Sequence, residues 1–183
     1  MIYLIGGAPR AGKSILSQRL CAKLKVGWVS TDLLMELLRV HKAPGRKTKW
    51  DAAPEAITAN AEWFFPYLER FMWGVSSLAD NYAIEGVDFL PAQVAQLSNQ
   101  YPIRAVFLGC SRMTLEDLTQ FPGRSKGYSH LHEALRRQIV EDVPRWSEFI
   151  RQEADYRGYA YIDMASDFSQ RLAEAESVLT YGV

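Results

Sequence analysis

The sequence is poor in the residues that staple or metallate small folds. Of its 183 residues only two are cysteine and three histidine. Cys21 and Cys110 stand far apart without a C-x-x-C pair, so neither a disulfide framework nor a zinc site is expected, and a reducing cytoplasm is the predicted setting. His130 and His132 fall in a predicted helix, where positions i and i+2 point to different faces, so they read as surface side chains and not as a shared metal site. An excess of either charge is missing too: 21 Lys and Arg balance 21 Asp and Glu. That balance argues against a surface built throughout to neutralise nucleic acid or anionic lipid. No apolar run approaches the roughly 18 residues of a spanning helix, and Met1 to Ile5 carries no basic leader, so no membrane segment or signal peptide is expected. There is no internal repeat and no low-complexity stretch.

Hydrophobic residues make up 48% and charged residues 23%, a composition that can bury a core and is far from that of disorder. The length suits one domain over residues 1–183. Ile2 to Ile5 is a short apolar run stopped by Gly6-Gly7 and predicts a buried parallel strand. Ile15, Leu16, Leu20 and Leu24 recur at helical spacing over Lys13 to Leu24. A second strand over Gly27 to Ser30 leads into Thr31-Asp32, where an oxygen side chain is expected to cap a helix from Leu33 to Val40.

A basic loop follows (Lys42, Arg46, Lys47, Lys49), then a long helical segment over about Ala53 to Leu78. Pro66 is expected to kink or split it. Its aromatic load (Trp63, Phe64, Phe65, Tyr67, Phe71, Trp73) exceeds what one helix face buries in a simple βα unit, and predicts a helical insertion over the sheet with these rings mainly in the core. Further strands are predicted over Tyr82 to Glu85, Ile103 to Leu108 and Tyr159 to Asp163. The helices expected between and after them are Ala92 to Ser98, a span from about Met113 to Ala154 broken at residues 121–127, and Phe168 to Leu179. Alternating strands and helices give an α/β fold: five parallel strands with helices on both faces.

The chemistry sits at Gly7-Ala8-Pro9-Arg10-Ala11-Gly12-Lys13-Ser14, a full match to G-x-x-x-x-G-K-[ST] in the required place, after an apolar strand and opening a helix. Glycines let backbone N–H groups turn inward around phosphate oxygens, and the helix N-terminus adds partial positive charge. Lys13 reaches the terminal phosphates and the Ser14 hydroxyl binds Mg²⁺. The nucleotide-binding set is therefore Gly7, Ala8, Pro9, Arg10, Ala11, Gly12, Lys13 and Ser14, with Leu16 in the first turn of the helix.

With this loop, Asp32 at the end of strand two and the segment Ile84-Glu85-Gly86-Val87-Asp88-Phe89-Leu90-Pro91, the chain resembles the adenylate-kinase-like group of P-loop small-molecule kinases. That group includes shikimate, gluconate and 2-phosphoglycerate kinases and chloramphenicol phosphotransferase. The resemblance covers most of the chain and implies a P-loop NTPase fold with a helical lid and a helical acceptor-side insertion. The activity it implies is an ATP- and Mg²⁺-dependent transfer of phosphate to a hydroxyl or phosphate of a small metabolite.

By the same resemblance, Asp32 orients or deprotonates the acceptor. It also reads simply as a helix cap. Glu85 falls where the group places an acid in the shell of Mg²⁺, with Asp88 a second option; the competing reading is that either acid fixes the Gly86 loop by hydrogen bonding. Arg124, with Lys126, Arg136 and Arg137 nearby, falls where the group carries lid arginines, and Arg124 is the first candidate to neutralise charge in transfer. Solvated helix-face arginines are the competing reading. The basic loop reads either as recognition of an anionic acceptor or as a solvated surface. Adenine contacts are implied at residues 163–167.

A different class of reading is a nucleotide-dependent switch or regulatory ATPase acting through a macromolecular partner. The short chain weighs against it, as does the lack of a guanine-type N-K-x-D sequence and of a long apolar strand ending in an acid pair. A kinase acting on a nucleoside or nucleotide-sugar differs only in acceptor. Neither the acceptor, the preferred base nor the oligomeric state follows from the residues.

Overall fold

The computed structural model describes residues 1–40, 52–79, 81–120, 128 and 131–182. Its centre is strand β1 (Ile2–Gly7), which pairs in parallel with β3 (Tyr82–Glu85) on one side and with β4 (Ile103–Gly109) on the other. Strand β2 (Gly27–Ser30) lies outside β3 and β5 (Ala160–Asp163) outside β4, completing the order β2-β3-β1-β4-β5. Successive side chains of a strand point to opposite faces, and β1 serves two separate cores in this way. Ile2 and Leu4 enter a cluster with α3 (Pro54–Leu78), α4 (Pro91–Leu97) and α6 (Glu133–Arg157), while Tyr3 and Ile5 enter one with α1 (Lys13–Leu24) and α7 (Phe168–Thr180). Leu4 and Ile5 are fully buried, and burying such a side chain stabilises the fold by about 1.5–3 kcal/mol.

The expected α/β fold, with five parallel strands covered on both faces, is the observed one, and the strand and helix limits agree with the sequence reading to within a few residues. Helix α2 (Thr31–Val40) differs at its start. It begins at Thr31 because Ser30 provides the cap: the Asp32 amide donates to Ser30 Oγ at 3.4 Å. Pro66 does not split α3, which runs unbroken for 25 residues. A helical proline strips the carbonyl four residues earlier of its donor. Both Pro66 and Glu62 are exposed, so that carbonyl lies on the solvent side of the helix, and the buried stripe Ile57, Ala61, Phe64, Leu68, Met72 and Val75 holds both halves to the core.

The aromatic surplus of α3 divides. Phe64 is fully buried and Trp63, Phe65 and Phe71 are partly buried, but Trp73 points outward, 52% exposed, under the Arg70 guanidinium carbon 4.0 Å from its ring centre. Phe65 lines a cavity of about 400 Å³ between α3, α4 and α6. Helix α5 (Leu115–Gln120) packs Leu118 against Ile139 and Val143 of α6. Helix α6 ends at Gly158, whose φ of 72° is open to glycine and whose N–H closes on Ala154 O. Among the described residues no helix is long and apolar enough to cross a membrane.

Candidate functional site

All five strands run the same way, so their carboxyl ends meet along one edge of the sheet, where ligands of open α/β folds bind. The loop from Gly7 to Ser14 leaves the middle of that edge. Gly7 has φ 134°, and a Cβ there would strike Leu108 O; Gly12, at φ 85°, begins α1. Both positions therefore need glycine. Ala8 and Ala11 are fully buried, and the Ala8 amide donates to Leu108 O at 2.9 Å. The loop is thus fixed to β4 as well as to β1.

Lys13 is 7% exposed, and its Nζ donates to Ala8 O at 2.6 Å, across the mouth of its own loop. Burial lowers its pKa, opposed by the negative charges of Glu85, Asp32 and Asp88. The ammonium therefore sits in a carboxylate field at this sheet edge. Ser14 Oγ donates to Glu85 Oε1 at 3.0 Å, which brings together the two residues read from the sequence as metal-binding. A hydroxyl beside a carboxylate is a hard oxygen pair suited to Mg²⁺, an ion usually held by one or two protein oxygens, substrate phosphates and water. Among the described residues no group of three or more His, Cys, Asp or Glu is arranged for a metal, so any all-protein cage is absent there.

Asp32 lies exposed in the first turn of α2, where a negative charge is favoured by the helix dipole. Its charge is felt by both Lys13 and Tyr128. The cap belongs to Ser30, as above, and the neighbouring Thr31 hydroxyl turns the other way, donating to Asp88 Oδ2 at 2.6 Å. The two acids of the segment after β3 are thereby separated: Glu85 faces Ser14, whereas Asp88, fully buried, binds Thr31 and accepts from Asn60 Nδ2 at 3.0 Å. Asn60 is absent from the sequence reading. Its signal was there, a polar residue on the apolar stripe of α3 between Ile57, Ala61 and Phe64.

Arg10, a loop residue at φ 67°, places its guanidinium carbon 5.0 Å from the ring centre of Tyr128. Burial lowers the Arg10 pKa and raises that of Tyr128. Tyr128 is also missing from the sequence reading, and a lone tyrosine beside an interruption in a helical span gives no signal. Leu16 is fully buried in the α1–α7 core, where its side chain packs beneath the loop, and its amide donates to Gly12 O at 3.0 Å. Arg124 and Lys126 lie outside the described residues, as do His130 and the basic residues Lys42, Arg46, Lys47 and Lys49. Of the other lid candidates, Arg137 donates to Glu133 Oε1 at 2.6 Å on the exposed face of α6. Arg136 keeps its Nε buried with no hydrogen-bond partner among the described residues.

At the far end of the edge, Asp163 Oδ1 accepts from the amides of Ser111, at 2.9 Å, and Ala165, at 3.1 Å. Burial works against its charge, but the hydrogen bonds from Ser111 and Ala165 win and hold its pKa below the ordinary value. These bonds tie the loop after β4 to the loop after β5. A Cβ on Gly12 would lie 2.8 Å from the ring of Phe168 and 3.8 Å from Met164 Cε, so Met164, within the segment 163–167, adjoins the Gly7-to-Ser14 loop.

No family model matches the chain, and no curated protein matches it in sequence. Solved structures match its fold. A gluconokinase from Sinorhizobium meliloti 1021 is 12% identical, with 97% of this chain and 90% of that one covered, at a TM-score of 0.55. A shikimate kinase from Bacteroides thetaiotaomicron is 15% identical, with 97% and 94% covered, at 0.50. At such identities the likeness is one of fold alone: a five-stranded parallel sheet of the same architecture, here with the Gly7-to-Ser14 loop leaving its central strand.

Proposed function

We propose that the protein is an ATP- and Mg²⁺-dependent phosphotransferase acting on a hydroxyl or phosphate of a small metabolite. The observation that carries this reading is the meeting of Ser14 and Glu85 at 3.0 Å beside a buried Lys13 whose ammonium feels Asp32. Phosphoryl transfer asks a protein mainly for positioning and charge neutralisation, and these residues supply both. Lys13 exchanges its bond to Ala8 O for terminal phosphate oxygens, and the loop amides hold the rest of the phosphate chain. Ser14 and Glu85 fit Mg²⁺, which supplies Lewis-acid neutralisation of phosphate charge when bound. With a hydroxyl acceptor, the acceptor oxygen forms its bond to the γ-phosphorus while the bond from that phosphorus to the bridging oxygen of ADP breaks. Asp32 orients the hydroxyl and takes its proton. Arg124 is proposed to neutralise charge in transfer, and Arg136, turned inward where Arg137 faces solvent, is the alternative on α6.

The test is ATP-to-ADP conversion with Mg²⁺ against pools of hydroxylated metabolites, nucleosides and nucleotides, for the wild type beside Asp32→Asn and Lys13→Ala. The expected result is one pool that raises turnover well above the acceptor-free rate, an increment lost in Asp32→Asn while nucleotide binding is kept. Slow hydrolysis that no pool raises and that ignores Asp32 would replace this reading with a nucleotide-dependent switch.

A further inference from the structure

Asp88 is a fully buried carboxylate whose two oxygens serve different elements. Oδ2 takes the hydroxyl of Thr31 at 2.6 Å and Oδ1 the amide of Asn60 at 3.0 Å. Thr31, itself fully buried, is the first residue of α2 and immediately precedes Asp32. Asn60 lies on α3, the helix beyond the basic loop. Gly86 adds a second constraint at the same point. Its amide donates to Ile5 O at 3.1 Å, which fixes it to the central strand, and the space a Cβ would need is taken by Thr31 Oγ1. Thr31 is therefore held against the loop after β3 by a hydrogen bond on one side and by close contact on the other.

A buried carboxylate is costly unless its lone pairs are met by donors in good geometry. The cost is accepted here although Glu85, not Asp88, is the acid that meets Ser14. Its geometric effect falls on Asp32: the backbone that carries this side chain starts from the residue Asp88 grips. We propose that Asp88 is a positioning residue that fixes the start of α2, and with it the Asp32 carboxylate, and that Asn60 couples the acceptor-side helix α3 to the same anchor. The effect on catalysis rests on the phosphotransferase reading above; the anchoring itself does not. A displacement of about 1 Å at a reacting group costs on the order of 100-fold in rate, so a loosened anchor acts on turnover far more than on binding of the nucleotide, which Lys13 and the loop hold independently.

The experiment compares wild type, Asp88→Asn, Thr31→Val and Thr31→Ser, and the double exchange Asp88→Asn with Asn60→Asp. An amide at position 88 has one acceptor oxygen for two donors, whereas the double exchange restores a complementary pair with donor and acceptor reversed. Thr31→Val removes a single hydroxyl and keeps its shape, so it stays informative if Asp88→Asn does not fold. In each variant Mg²⁺-ATP affinity, kcat and KM for the stimulating acceptor, and amide hydrogen exchange over the first two turns of α2 and over residues 7–14 are measured. The expected result is a kcat about ten-fold lower or more in Asp88→Asn and Thr31→Val, ATP affinity within about two-fold, faster exchange confined to α2, and recovery in Thr31→Ser and in the double exchange. Unchanged kcat and unchanged exchange in both single variants would overturn the proposal, as would a loss of ATP affinity and loop protection in step with kcat, which marks a merely structural role. If no acceptor raises turnover in the wild type, the phosphotransferase reading fails on its own, and exchange over α2 still decides the anchor: faster in Asp88→Asn and Thr31→Val supports it, unchanged refutes it.

Discussion

The guanidinium carbon of Arg10 stands 5.0 Å from the ring centre of Tyr128, which links the phosphate loop to the cluster of Cys110, Leu118, Ile139 and Val143 against which Tyr128 packs. A cation over an aromatic face contributes about 0.5–2 kcal/mol depending on its exposure. The ring, not the hydroxyl, makes this contact. Tyr128→Phe is therefore expected to hold nucleotide affinity within about two-fold, while Tyr128→Ala weakens it by about three- to ten-fold. Calorimetric titration with ADP reads the difference, and equal losses in both variants would move the effect to the phenol oxygen.

Gly86→Ala puts a methyl group into the space of Thr31 Oγ1. Overpacking of this kind costs about 1–3 kcal/mol or more, and the grip of Asp88 on Thr31 prevents easy relief. Urea unfolding is expected to show a loss in that range, with a smaller loss when Thr31→Ala is added than the sum of the two single changes.

Glu85→Gln leaves Ser14 a hydrogen-bond partner but removes the negative charge. The metal requirement then rises. An apparent Mg²⁺ constant about ten-fold higher, with metal-free ADP binding nearly unchanged, is expected from losing one carboxylate near a hard cation. Titration of turnover with Mg²⁺ checks it, and an unchanged constant would place the metal shell elsewhere.

Burial pushes the Cys110 thiol up to about 11 from an ordinary 9.0. The folded protein thus keeps this proton where the unfolded chain gives it up, so the contribution to stability is complete below about pH 9 and is lost as pH rises toward 11. Compared with Cys110→Ala, the wild type is expected to lose stability more steeply across that window in urea unfolding. Alkylation of Cys110 in the folded protein at pH 8.5 is expected to be slow beside a free thiol.

The frame was legible in the residues because it is written in local patterns: a short apolar run before Gly6-Gly7, helical spacing from Lys13, a β-branched and aromatic run at Ile103. Each needs only its neighbours to be read. Whether Pro66 splits its helix was not legible, because that depends on which side of the helix its freed carbonyl lies, and the core stripe decides it. In the site, the tight glycine turn from Gly7 to Ser14 was legible for the same local reason. The partition of Glu85 and Asp88 was not: three residues apart, they meet Ser14 on one side and Thr31 with Asn60 on the other, partners set by the crossover order of the sheet. Tyr128 shows the limit in another way, since only the stacking of Arg10 on it reveals a tie between segments distant in sequence.

The central place of β1 has a consequence for the order in which the molecule is made. Its hydrogen-bonding partners, from Tyr82 on one side and from Ile103 on the other, are synthesised long after it. At translation rates of about 5–20 residues per second, Ile2 to Gly7 waits for seconds with both edges open before either neighbour exists. During that interval this strand, buried along its whole length in the finished fold, and the Gly7-to-Ser14 loop attached to it are available to chaperones and to other nascent chains, and the loop takes its fixed shape only when β4 has closed against it.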